Sequence, residues 1–171
     1  IIVGHSMGSL VAFDVAARYP DRITALAMVG TALPMPVGEV LLNSAKEDSP
    51  LAKDMINFWS HSQAGHLGGS QVPGTWMIGK LNRLLERAGP GVIHNDLLAC
   101  AEYTKGMERS QDVKAPTLLI LGEDDMMTPV KNAKALADAI SESRTVILPN
   151  CGHAIVNEAP NEMLDALVTL I

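Results

Sequence analysis

The sequence predicts an α/β fold: a mostly parallel sheet with flanking helices, and a helical cap inserted into it. Three observations predict it. The first thirty residues read strand, helix, strand. Residues 34–112 then carry no strand-like run, and from residue 113 the alternation of strand and helix resumes. A strand–helix–strand unit at this spacing is a crossover, so its two strands run parallel.

Each element has a local reason. Ile1-Ile2-Val3 is apolar throughout, as expected of a strand covered on both faces. Such a strand needs neighbours, so the chain is expected to enter a larger sheet whose N-terminal strands are missing here. Apolar residues at 7, 10, 11, 15 and 16 recur at helical spacing over residues 7–18, and Pro20 stops that helix. Residues 23–29 form a second apolar run, closed by Gly30.

Pro34, Pro36 and Gly38 then mark a linker. Leu51, Ala52, Met55, Phe58 and Trp59 share one helical face; Met77, Leu81, Leu84 and Leu85 share another, and Val92, Ile93, Leu97 and Leu98 a third. Gly65, Gly68, Gly69, Pro73 and Gly74 break the middle. The insertion is therefore expected to hold three or four short helices. After Pro116, residues 117–121 read as a strand, 130–140 as a helix and 144–148 as a strand. A last helical stretch starts at 154, is interrupted at Pro160 and ends over 163–171. The chain divides accordingly into a first core part (1–33), a cap (34–112) and a second core part (113–171).

Composition narrows the function. With 171 residues, 47% of them hydrophobic and 19% charged, the chain is long and apolar enough to bury a core and is not a disordered segment. A net charge of −6 without a Lys/Arg cluster leaves no face for neutralising phosphates, so nucleic acid is not an expected partner. No apolar run approaches the ~20 residues that cross a bilayer, so no membrane partner is expected. Cys100 and Cys151 form no spacing pattern and read as reduced thiols, in keeping with a cytoplasmic location. His61, His66 and His94 match no metal-ligand spacing, so no metal or cofactor is expected.

The chemistry sits at three strand ends. Gly4-His5-Ser6-Met7-Gly8 lies between a strand and a helix, the setting of a nucleophile elbow. The tight turn lifts the Ser6 hydroxyl above the sheet at the positive end of the following helix. Glycines on both sides are expected to remove side chains that would collide in the bend. The Met7 N–H points the same way and can hold an oxyanion. A serine hydroxyl needs a base to take its proton. His153, in Asn150-Cys151-Gly152-His153 just past a strand, is that candidate, whereas the His5 ring is expected to turn away from the serine. The imidazole in turn needs a partner to hold its tautomer. Glu123, Asp124 and Asp125 all offer a carboxylate in the loop after the preceding strand.

The order serine, acid, histidine, together with Gly122-x-x-Asp125-x-x-Thr128-Pro129 and Gly152-His153 followed by Glu158 and Pro160, resembles the α/β-hydrolase superfamily. The resemblance runs through the whole chain from the fifth strand of the usual eight. It implies Asp125 as the acid, since the loop after Gly30 holds none, and 34–112 as a lid. It also implies that a second oxyanion-hole N–H belongs to residues before Ile1. A serine nucleophile sets aside the epoxide-opening and dehalogenating branches. The expected function is a serine hydrolase acting on a small-molecule ester or related carbonyl substrate through an acyl-enzyme. An acyltransferase or perhydrolase with the same triad and a non-catalytic, hydrolase-like binding protein are the alternatives. His5, Trp59, Trp76, Met126 and Met127 are candidates to line the substrate pocket.

Overall fold

In the structure, a computed structural model that describes residues 1–170, four parallel strands form one sheet in the order β1 (Ile2–His5), β2 (Leu26–Val29), β3 (Thr117–Gly122), β4 (Ser143–Leu148). The register places Ile2 beside Leu26, Leu26 beside Thr117, and Thr117 beside Ser143. The C-terminal strand ends are therefore level: His5 beside Val29, Val29 beside Ile120, and Gly122 beside Leu148. The loops that follow them share one rim, which is where open α/β sheets place ligands.

Alternation along the strands builds a core on each face. On one side Met28, Leu119 and Leu121 pack with Leu10, Phe13 and Ala16 of α1 (Met7–Arg18). On the other side Val29, Leu118, Ile120 and Leu148 pack with Ile155, Ala159 and Ala166. A sheet covered on both faces accounts for the continuous apolar runs of β2 and β3, buried along their whole length.

Between β2 and β3 the chain supplies only helices: α2 (Glu39–Lys46), α3 (Pro50–Ser60), α4 (Gln63–His66), α5 (Met77–Glu86), α6 (Val92–Glu102) and a 3-10 segment, Gly106–Asp112. This is more than the three or four expected. The stretch after Gly38 reads as linker because of its two prolines, yet Leu41 and Ala45 of α2 are buried against Ala52 of α3. The 3-10 segment packs back on α1, so its chain belongs with the sheet rather than with the other inserted helices. Met127, from the loop after β3, joins the cluster of Leu41, Ala45 and Ala52 and ties the inserted helices to the sheet rim.

Past β3, the expected helix over 130–140 is a 3-10 turn (Val130–Asn132) followed by α7 (Lys134–Ala139). After β4 come α8 (Ile155–Glu158) and α9 (Pro160–Val168). The interruption expected at Pro160 falls between them, and Pro160 starts α9, because a first-turn residue needs no N–H donor. The expected helix end at residue 171 lies outside the described residues. None of the described helices is long and apolar enough to cross a membrane.

Candidate active site

Ser6 occupies the turn between β1 and α1 with φ 53° and ψ −123°, a strained region for a residue with a side chain. The surroundings over-determine it. Ser6 N–H donates to Val29 O at 2.9 Å, and Ser6 O accepts from Ser9 N–H at 2.8 Å and from Ser9 Oγ at 2.5 Å. Ser9 Oγ lies 2.7 Å from the buried Thr31 hydroxyl. Of the two motif glycines, one carries the steric load. A Cβ at Gly4 would stand 2.0 Å from Gly8 O, so strand and helix cross at backbone contact. A Cβ at Gly8 would meet nothing within 4 Å among the described residues. The expectation that both glycines relieve collisions is corrected to Gly4 alone.

His153 follows β4 and is 5% exposed; Asp125 follows β3 and is 4% exposed. His153 Nδ1 lies 2.8 Å from Asp125 Oδ2. A carboxylate only accepts, so Nδ1 carries the proton and the lone pair stays on Nε2. The rest of the Asp125 carboxylate is saturated by Thr128, whose N–H donates to Oδ1 at 2.7 Å and whose hydroxyl donates to Oδ2 at 2.8 Å. Glu123 and Asp124 are both exposed, so of the three carboxylates only Asp125 meets an imidazole. Burial pushes the Asp125 carboxyl upward, but the hydrogen bond and charge of His153 and the two Thr128 donors outweigh it, holding its pKa below the ordinary aspartate range.

This shift has a pH consequence. A carboxyl depressed on folding contributes stability that is fully present above the unfolded aspartate pKa of ~3.9 and is lost as pH falls through the lower folded value. Thermal unfolding followed from pH 6 downward is expected to show a drop in midpoint below about pH 4. Asp125→Asn is expected to flatten part of that slope, and an unchanged slope would contradict the assignment.

One glycine and one neighbouring ring hold His153 from other sides. Gly30 adopts φ +54°, and a Cβ there would come 3.1 Å from His153 Nδ1 and 3.2 Å from His5 Nε2. It is the floor beneath both rings. The His5 ring turns toward His153, their centroids 4.8 Å apart, and its Nε2–H donates to His153 O at 2.8 Å.

Glu158 of α8 accepts from Gly152 N–H at 2.5 Å and from Ser62 N–H at 2.8 Å, while Ala154 N–H donates to Ser60 O at 2.7 Å. One buried carboxyl group thus fastens the corner between α3 and α4 to the residue before His153. Leaving two buried N–H groups without a partner costs ~1–3 kcal/mol each. Glu158→Ala is therefore expected to lower the unfolding midpoint by roughly 5–15 °C, read by calorimetry; a shift within 2 °C would show that the clamp carries no load. Cys151, beside Gly152, is free and buried. Burial, helped by the Glu158 and Asp125 charges, pushes its thiol up to about 12, so it packs as an inert group.

Ser6 lines two cavities. The smaller, about 150 Å³, is walled by Met35, Leu41, Trp59, Leu97, Met126 and Met127 among others. The larger, about 750 Å³, is also lined by His5, Met7, Met127 and His153. Ser6 and His153 are thus brought to one cavity, although Ser6 Oγ makes no hydrogen bond to His153 here. As the first residue of α1, Met7 has an N–H with no partner inside the helix. Trp76 departs from expectation. It precedes α5, is 70% exposed, packs on Gly79 and borders an outer hollow that Ser6 does not touch. Its large side chain makes it a pocket candidate in the sequence, but it stands at the N-cap of α5 and is exposed. Among the described residues no group of three or more His, Cys, Asp or Glu side chains is placed to hold a metal.

The roles of Gly30, Thr128 and Glu158 escape sequence reasoning. Thr128 and Glu158 stand in the motifs quoted above, but only the folded loops reveal what they touch.

This combination of a parallel sheet, a strained serine turn and a rim-level aspartate–histidine pair is the arrangement of the alpha/beta hydrolase fold. The chain belongs to the alpha/beta hydrolase fold family, whose sequence model matches residues 1–160. It is similar to the pimeloyl-(acyl-carrier protein) methyl ester esterase of Aromatoleum aromaticum, at 26% identity over 170-odd aligned positions that cover 90% of this chain and 66% of that protein. It is similar to the 2-hydroxy-6-oxononadienedioate/2-hydroxy-6-oxononatrienedioate hydrolase of Comamonas testosteroni, at 26% identity over 89% of this chain and 55% of that one. Among solved structures, a thermophilic esterase superposes with TM-score 0.81 at 28% identity, covering 99% of this chain and 64% of its own. The chain therefore spans between about half and two thirds of the length of these proteins.

Proposed function

We propose that this chain carries the catalytic centre of a serine hydrolase acting on a small-molecule ester or related carbonyl compound. Ser6 Oγ attacks the carbonyl carbon while His153 Nε2 takes its proton. The oxyanion of the tetrahedral intermediate is held by the Met7 N–H. The intermediate then collapses to an acyl-enzyme, and His153 returns the proton to the leaving oxygen. Water repeats the sequence and frees the acid. Asp125 keeps the proton on Nδ1 and stabilises the imidazolium formed in each half-reaction. The reaction as written needs no cofactor, and its partner is the substrate alone.

The observation that carries this reading is the 2.8 Å bond between two nearly buried side chains, Asp125 and His153, beside a cavity that Ser6 lines from a φ of 53°. The activities named for two relatives, an ester esterase and a hydrolase, support it. The test is turnover of p-nitrophenyl esters of two to eight carbons by the purified full-length protein. Steady release of acid and p-nitrophenol, with an initial burst, is the expected result. Transfer to added alcohol or peroxide in preference to water would favour the acyltransferase or perhydrolase alternative. Absence of turnover with every ester would favour a binding role.

A further inference from the structure

We infer that the substrate of this site has an apolar arm ending in an anionic group, and that Lys80, Arg83 and Arg87 of the α5 region receive that group. The inference rests on the hydrolase reading for the position of the reacting carbonyl at Ser6, and on the larger cavity for everything else.

That cavity has two kinds of wall. Near Ser6 it is apolar, with Ile56, Leu97 and Met127 facing it, and Leu81, Leu84 and Leu85 continue this surface along α5. Leu84 is 65% exposed, so this apolar surface is open to a ligand. The same wall carries Lys80, Arg83 and Arg87. Their spacing of three and four residues stacks them along one side of the helix.

The charges do not cancel. Asp96 is the one carboxylate among the residues lining the cavity, against three cations, in a chain with 19 acidic and 13 basic residues. Arg83 is paired with Glu86 at 2.7 Å, a residue outside the cavity. Lys80 has no carboxylate within ion-pair distance among the described residues, and its Nζ donates to the neutral Asn157 Oδ1 at 2.8 Å. Arg87 has no ion pair among the described residues. Asn157 lies four residues past His153 and lines the same cavity, so the Lys80 ammonium reaches the histidine side of the site. The other titratable groups facing the cavity are His5, His153 and Cys100; none of them supplies a negative counter-charge. An apolar surface with three cations beyond it, of which Lys80 and Arg87 have no ion pair among the described residues, suits a carboxylate-terminated acyl chain.

Exposed charge contacts are individually weak and screened by salt. Three together correspond to roughly a tenfold preference. The probes are the p-nitrophenyl monoester of adipic acid and its neutral six-carbon counterpart, p-nitrophenyl hexanoate, given to the full-length protein. The expected ratio of kcat/KM, anionic over neutral, is about ten at low salt and falls as salt is raised. In the Lys80→Gln, Arg83→Gln, Arg87→Gln variant that ratio is expected to drop about tenfold.

Calorimetric titration of adipate into the Ser6→Ala protein separates binding from chemistry. Adipate binding that the triple substitution weakens upholds the inference even if no ester is turned over, in which case the hydrolase reading alone fails. A ratio near one, a ratio the triple substitution leaves unchanged, or no adipate binding overturns the inference.

Discussion

Asp125→Asn is expected to lower kcat by roughly 10⁴-fold with little change in fold, because it reverses the tautomer of His153. The argument follows from which oxygen bonds to which donor. Thr128 N–H donates to Asp125 Oδ1, and a backbone N–H cannot turn round. The asparagine must therefore place its carbonyl there and its NH₂ where Oδ2 stood, facing His153 Nδ1. Two donors cannot share that bond. The imidazole adapts by moving its proton to Nε2, and the nitrogen nearer the substrate is no longer a base. Shape is preserved, since the Thr128 hydroxyl can rotate to accept from the new amide. The kinetic loss should thus come with a folded protein whose unfolding midpoint at neutral pH falls only by the carboxylate's own contribution. A variant with more than a tenth of the parental kcat would remove Asp125 from the proposed mechanism.

Gly4→Ala should have the largest effect on the fold. Its new methyl would stand 2.0 Å from Gly8 O, 2.4 Å from Gly8 C and 2.7 Å from Ser9 N. All three are backbone atoms at the start of α1, so no side chain can step aside. Either the helix moves off the strand or the elbow opens, and overpacking of a rigid contact costs ~3 kcal/mol or more. Gly8→Ala is the control within the same pentapeptide. It adds a methyl to open space in a helix, where alanine is favoured by up to ~1 kcal/mol over glycine. Urea unfolding of the two variants should therefore shift in opposite directions. Equal destabilisation by both would contradict the packing described here.

Much of this was legible in the chain because strand ends are legible. A turn residue after each apolar run fixes where a strand stops, and parallel order then places residues 6, 125 and 153 on one rim. The helical spacing of α1 is equally clear, although its buried face includes Phe13 and leaves Val11, counted among the apolar positions, exposed. What failed to read out depends on contacts between distant segments. Nothing local to Glu158 says that it will clasp Ser62, 96 positions away. Gly30 looks like any strand terminator until two imidazoles are seen above it. α2 was hidden because Pro34 and Pro36 masked the short apolar face of Leu41 and Ala45. Trp76 and Gly8 misled for a common reason: residue type and motif position do not show what lies opposite a side chain.

The central claim is that Ser6 is a nucleophile activated by His153. Fluorophosphonate labelling of the full-length protein, followed by peptide mapping, tests it most directly. The account predicts one adduct, on Ser6, formed at a rate that His153→Ala reduces by at least a hundredfold. No adduct at Ser6, or an adduct formed equally fast without the imidazole, would contradict it.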